Sequence, residues 1–162
     1  MNAESFHHLY NYHFSENRKI WEHIAQLSYE QFTQHVNYSH GSIQNQIAHL
    51  INVDEVWFGE LRGVEPPQPY QPANFDDREA IRTRWDGVEQ TMRGFLAQLQ
   101  DDELFAKPIN EPKEDQKLSV WQVLIHVINH GTDHRAQILR ILHDFGVKTT
   151  SQDFIFYVYD NL

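Results

Sequence analysis

The sequence predicts an all-α four-helix bundle. Three observations carry this. Four long segments repeat their apolar residues at three- and four-residue spacing. Two breaker regions separate the third segment from its neighbours: Pro66, Pro67, Pro69 and Pro72, then Pro108 and Pro112 with the charged run 113–117. No segment alternates convincingly as a strand, and amphipathic helices without strands bury their stripes against one another. The 162 residues are expected to form a single domain, 1–162, long enough for a sizeable core without disulfides or structural metal.

The first helix is expected over about 3–26, with Leu9, Phe14, Ile20, Trp21, Ile24 and Leu27 as its stripe. Ser28 followed by Gln31 fits a capping box that opens a short helical turn. Ser42 is a good N-cap for the second long helix, which runs to about Arg62 and stops at Gly63. The third begins near Asp76 or Asp77 and runs to about Leu99, and Asp101 caps a short turn after it. Residues 105–118 show no period and read as a surface excursion. Ser119 caps the last long helix, which ends near Asp144 before Gly146. The aromatic tail 153–162 suits a short helix, with a strand as the weaker option. Moderate loops permit crossover connections as well as antiparallel hairpins, and sequence does not choose between them.

Composition excludes several chemistries. No cysteine is present, so disulfides, thiolate zinc sites and a cysteine nucleophile are out. The formal charge of −10, with 13 basic residues scattered among 23 acidic ones, argues against nucleic-acid binding. The polar first twenty residues show no signal peptide, and no apolar run reaches spanning length, so no membrane association and a cytoplasmic location are expected. Most of the 11 histidines lie in polar surroundings; His7, His8, His13, His23, His35 and His40 are expected to be exposed.

His126, His130 and His134 are different. They stand four residues apart on the last long helix, so they lie on one side, one turn above the next. A helical wheel puts His134 on the shoulder of the apolar face and His130 further out. His126 drifts to the rim, where it can simply hydrogen-bond at the surface. Two imidazoles at i and i+4 can grip one transition metal. A third ligand must come from elsewhere. His49, just off the stripe of the second long helix, is a candidate, because bundles build metal sites from facing helices. Three neutral imidazoles leave a position for water, and nitrogen ligands suit zinc, nickel and iron alike. Gly131 sits at the centre of the apolar face, where a neighbouring backbone or bulky side chain can use its space.

The run His126-Val127-Ile128-Asn129-His130-Gly131-Thr132-Asp133-His134-Arg135-Ala136-Gln137 resembles the last long helix of the DinB/YfiT-like proteins, roughly H-x-x-N-H-x-x-x-H-R-x-Q. The family's other signature is a histidine on the second helix followed by an acidic and an aromatic residue. Here that is similar to His49, with Asp54 or Glu55 and then Trp57 or Phe58. The likeness spans nearly the whole chain. It implies an up-down-down-up bundle that binds a divalent metal through His49, His130 and His134. It also implies a small-molecule substrate, since some members join a low-molecular-weight thiol to an electrophile.

The expectation is therefore a divalent-metal-binding protein that acts as a metal-dependent enzyme, a thiol S-transferase or a hydrolase. The alternative is a non-catalytic metal-binding protein of stress response. The helix carries no built-in carboxylate base; His126, Asp133, Asp54 and Glu55 are candidates for one. Gln137 is placed to line the pocket. Arg135 falls on the apolar face and needs either a carboxylate partner, for which Asp54 is the candidate, or a path to solvent. Trp57 and Trp121 are read as core residues. A homodimer is compatible with such a bundle, although no interface stands out.

Overall fold

A computed structural model describes residues 1–65, 67–71 and 78–162. Helix α1 spans Ala3–Ile24, α2 Tyr29–Thr33, α3 Ile43–Arg62, α4 Arg78–Leu96, α5 Val120–Asp144 and α6 Phe154–Asp160, with a 3₁₀ turn at Asp101–Phe105. The expected start of α4, at Asp76 or Asp77, lies outside the described residues.

The helix ends follow local chemistry. Ser28 and Gln31 form the reciprocal capping box: each side chain bonds the other's backbone N–H, at 3.1 and 3.0 Å. Ser42 Oγ accepts the Asn45 N–H at 3.1 Å and opens α3. At the start of α5, Gln122 Oε1 accepts the Ser119 N–H at 2.9 Å. Gly63 and Gly146 stop α3 and α5 at φ of 62° and 77°, conformations that favour glycine. The turn at 101–105 is capped by Gln100 rather than Asp101. Asp101 instead accepts the Ala3 N–H at 2.7 Å, so it holds the start of α1.

Side-chain pairs set the helix directions. Tyr10 meets Leu124, and Asn17 meets Arg135, so α1 and α5 run parallel. Trp57 packs on His126, and Gln46 bonds Gln137, so α3 and α5 are antiparallel. Glu55 meets Arg84 and Phe58 meets Phe95, so α4 runs with α3. Trp21 meets Trp85 and Arg18 meets Glu89, so α4 runs against α1. The order is up-down-down-up, with α1 and α3 each packed on both α4 and α5.

Parallel neighbours α3 and α4 need a connection along the length of the bundle, and residues 67–71 belong to it. Asn52 pins that stretch by exchanging two hydrogen bonds with the backbone of Tyr70, at 2.7 and 3.0 Å. The core is built of side chains such as Phe6, Phe14, Ile47, Ile51, Leu124 and Ile138, all almost fully buried. Each such side chain is worth about 1.5–3 kcal/mol of burial. Trp57 and Trp121 are half-buried and pack against this core. In the tail, Phe154 and Tyr157 lie on the rings of His8 and Tyr12, which docks α6 on α1. No helix among the described residues is long and apolar enough to cross a membrane.

Candidate metal centre

The seam between α3 and α5 brings four imidazoles together. His49 Nε2 and His130 Nε2 are 3.0 Å apart. Ring centres lie at 5.0 Å for His49 and His130, 4.6 Å for His49 and His134, and 4.3 Å for His130 and His134. The fourth ring belongs to His40, in the loop before α3. It stacks on His49 at 4.0 Å and 23°, and its centre is 5.2 Å from that of His134. One ring nitrogen from each of His40, His49 and His134 lies within 4.8 Å of the other two.

His40 is exposed, as its polar surroundings suggested, but it is not a bystander. The i, i+4 rule that singles out His130 and His134 cannot detect a loop residue. Its only sequence cue is that it stands two places before the Ser42 cap of the helix that carries His49. His126 stays at the exposed rim of the seam. Its ring packs edge-on to Trp57 at 5.2 Å, and its centre is 5.8 Å from that of His130.

The three helix-borne imidazoles, His49, His130 and His134, are electrostatically poised to stay neutral. Burial, then the neighbouring rings His40 and His134, lowers the His49 pKa to about 4. Burial, followed by His134, His49, His126 and His40, lowers that of His130 to about 3. His134 is lowered by burial and His40, with Asp133 opposing. Neutral imidazoles keep a lone pair free, and that is the state a metal requires. The His130 Nδ1 is also buried without a hydrogen-bond partner. Two nitrogens on one tetrahedral zinc lie about 3.4 Å apart, so the His49–His130 separation fits a shared ion within a few tenths of an ångström. On donor chemistry and spacing, the residues fit a divalent transition metal.

A hydrogen-bond relay backs the cluster. His134 Nδ1 lies 2.9 Å from Gln46 Oε1, Gln46 Nε2 donates to Gln137 Oε1 at 3.1 Å, and Gln137 Nε2 donates to Asp133 Oδ2 at 3.0 Å. An ionised carboxylate only accepts. Asp133 therefore orients Gln137, Gln137 orients Gln46, and Gln46 Oε1 accepts a hydrogen bond from the Nδ1–H of His134. The Nε2 lone pair of His134 is left free. Gln137 thus supports the cluster rather than simply lining a pocket. Gln46, fully buried, is with His40 a residue of the candidate site that sequence reading missed. Its cue was a polar residue one place before the apolar Ile47 on the helix of His49.

The expected Arg135–Asp54 pair does not form. Arg135 is fully buried against α1, where it donates to Asn17 Oδ1 at 2.8 Å, Thr132 Oγ1 at 3.1 Å, Gln152 Oε1 at 3.1 Å and His13 Nδ1 at 3.2 Å. These partners are neutral, so Arg135 neither pairs with a carboxylate among them nor snorkels to solvent. Consecutive residues are about 100° apart on a helix. When His134 faces α3, Arg135 faces α1. His13 is correspondingly buried, not exposed, and burial with Arg135 and His130 beside it holds its pKa well below the ordinary value.

Asp54 lies about 140° around α3 from His49 by the same arithmetic and faces α4. It borders a cavity of about 370 Å³ with Phe58, Arg84, Val88 and Met92. Its Oδ1 is buried without a partner, and burial raises its pKa to about 8 despite Arg135. Glu55 is paired with Arg84 at 2.6 Å. Among the described residues, no hydrogen bond links either carboxylate to the imidazoles.

The chain is similar to Protein DinB of Bacillus subtilis (strain 168), with 25% identity over 158 residues covering 93% of this chain and 92% of that one. The crystal structure of a conserved protein from Enterococcus faecalis superposes with a TM-score of 0.65 at 11% identity, covering 85% of this chain and 92% of that one. That second likeness concerns the fold alone. The DinB family pattern matches residues 1–161, and the chain belongs to the DinB family.

Proposed function

We propose that this protein binds a divalent transition metal (zinc, nickel or iron) through His49, His130 and His134, and uses it as an enzyme on a small molecule. The observation that carries this reading is the packing of neutral imidazoles from α3 and α5, with the His49 and His130 Nε2 atoms 3.0 Å apart. A bound metal would supply Lewis acidity, either holding a low-molecular-weight thiol as thiolate or activating water for hydrolysis. The chain's own contribution is positioning. Gln46 and Gln137 orient His134, and the half-buried seam keeps the imidazoles unprotonated.

A second reading, a non-catalytic metal-binding protein, is favoured by one observation: the exposed His40 ring stacks on His49, on the solvent side of the proposed site. The test is elemental analysis of untagged protein beside His130→Ala. About one equivalent of metal, lost in the variant, supports the site. An absence of metal in the wild type, even after zinc or nickel is added, overturns it. With metal bound, turnover of a thiol with an electrophile, or of hydrolysable esters and amides, separates the enzyme from the binder.

A further inference from the structure

We infer that His40 is a fourth metal ligand, carried over the site by the α2–α3 loop and able to leave it. This rests on the proposed site of His49, His130 and His134. The loop is shaped around His40. Ser39 takes a left-handed backbone, φ 48°, and Gly41 follows at φ 84°. A non-glycine residue adopts that region only when its surroundings hold it there, and several bonds do so here. The Val36 N–H donates to the Gly41 carbonyl at 2.6 Å, and the Gly41 N–H donates to that of Tyr38 at 3.0 Å. Asn45 Nδ2 donates to the His40 carbonyl at 2.9 Å. The Ser39 hydroxyl donates to Gln137 Oε1, the amide that already orients Gln46.

The support beneath His134 and the loop that carries His40 therefore share one amide. The result is a ring stacked on His49, with one of its nitrogens within 4.8 Å of a nitrogen of His49 and of His134. A stacked surface histidine alone needs none of this scaffolding. A fourth imidazole closes the tetrahedral shell of a metal such as zinc, and a closed shell admits no substrate. His49, His130 and His134 are held by helices. His40 is exposed and lies outside any helix, so it is the ligand a small-molecule donor such as a thiol can displace.

Cobalt(II) is the probe, because its visible bands report the number and kind of ligands. Wild type, His40→Ala and His130→Ala are each titrated with cobalt alone, with folding checked by circular dichroism. Cobalt affinity in His40→Ala is expected to fall about tenfold or more, with altered visible bands that millimolar free imidazole restores toward those of the wild type. A His40→Ala spectrum and affinity equal to those of the wild type would overturn the fourth-ligand assignment while leaving the three-histidine site standing. No cobalt uptake by the wild type would remove the metal reading itself.

Discussion

The Nδ1–H of His134 donates a hydrogen bond to Oε1 of Gln46 across 2.9 Å, and the relay passes on to Gln137, 91 residues from Gln46 in sequence, and ends on Asp133. All the donors in this relay point the same way, so each bond polarises the next. Such outer partners fix ring orientation and raise ligand basicity. Gln46→Leu is therefore expected to weaken metal binding by about 10–100-fold while leaving the bundle folded. Competition against a chelator of known affinity measures this. Equal affinity in variant and wild type would show that Gln46 only fills space.

Gly131 is bare because His13 occupies the place of its side chain. A Cβ there would lie 2.4 Å from His13 Cε1, 2.9 Å from His13 Nδ1 and 3.0 Å from Arg135 Nη1. His13 cannot move aside easily, since it is buried and bonded to Arg135. Gly131→Ala should destabilise the protein by about 1–3 kcal/mol, against the roughly 1 kcal/mol gained in helix propensity. Gly87, on α4, meets nothing within 4 Å, so Gly87→Ala is the control and should hold or gain stability. Denaturant midpoints compare the two, and a stabilised Gly131→Ala would contradict the packing.

Asp54 gives a stability term of definite sign. Its carboxyl ordinarily ionises near 3.8, but burial holds the folded-state pKa at about 8. Between those values the folded protein binds the extra proton, so this contribution to stability falls as pH rises from about 4 to 8. Asp54→Asn removes the ionisation. The variant should gain stability relative to wild type as pH rises through that window, by about 1–3 kcal/mol at pH 8. Subtracting the two stability–pH curves cancels the histidine contributions, and a flat difference would show that Asp54 is not strained by burial.

Much of the fold is legible because it is local. Ser28 with Gln31, Ser42, Gly63, Ser119 and Gly146 all mark helix ends through hydrogen bonds or backbone angles a few residues away. His130 and His134 are legible for the same reason, since helical spacing alone makes them neighbours. The misreadings concern facing. Arg135 and Asp54 both lie in apolar stripes, yet one faces α1 and the other α4. His13 reads as exposed among polar sequence neighbours, but Gly131 opens a space for it inside.

The sequence by itself determined most of the helix ends, the absence of any cysteine thiol, and the imidazole pair on α5, because each depends on residues close together in the chain. Only the tertiary structure decided which seam each polar residue entered, that Gln46 orients His134, and that a left-handed Ser39 carries His40 over His49. Those relationships join residues far apart in the chain, and a helix's pattern shows which face is buried without showing what lies against it.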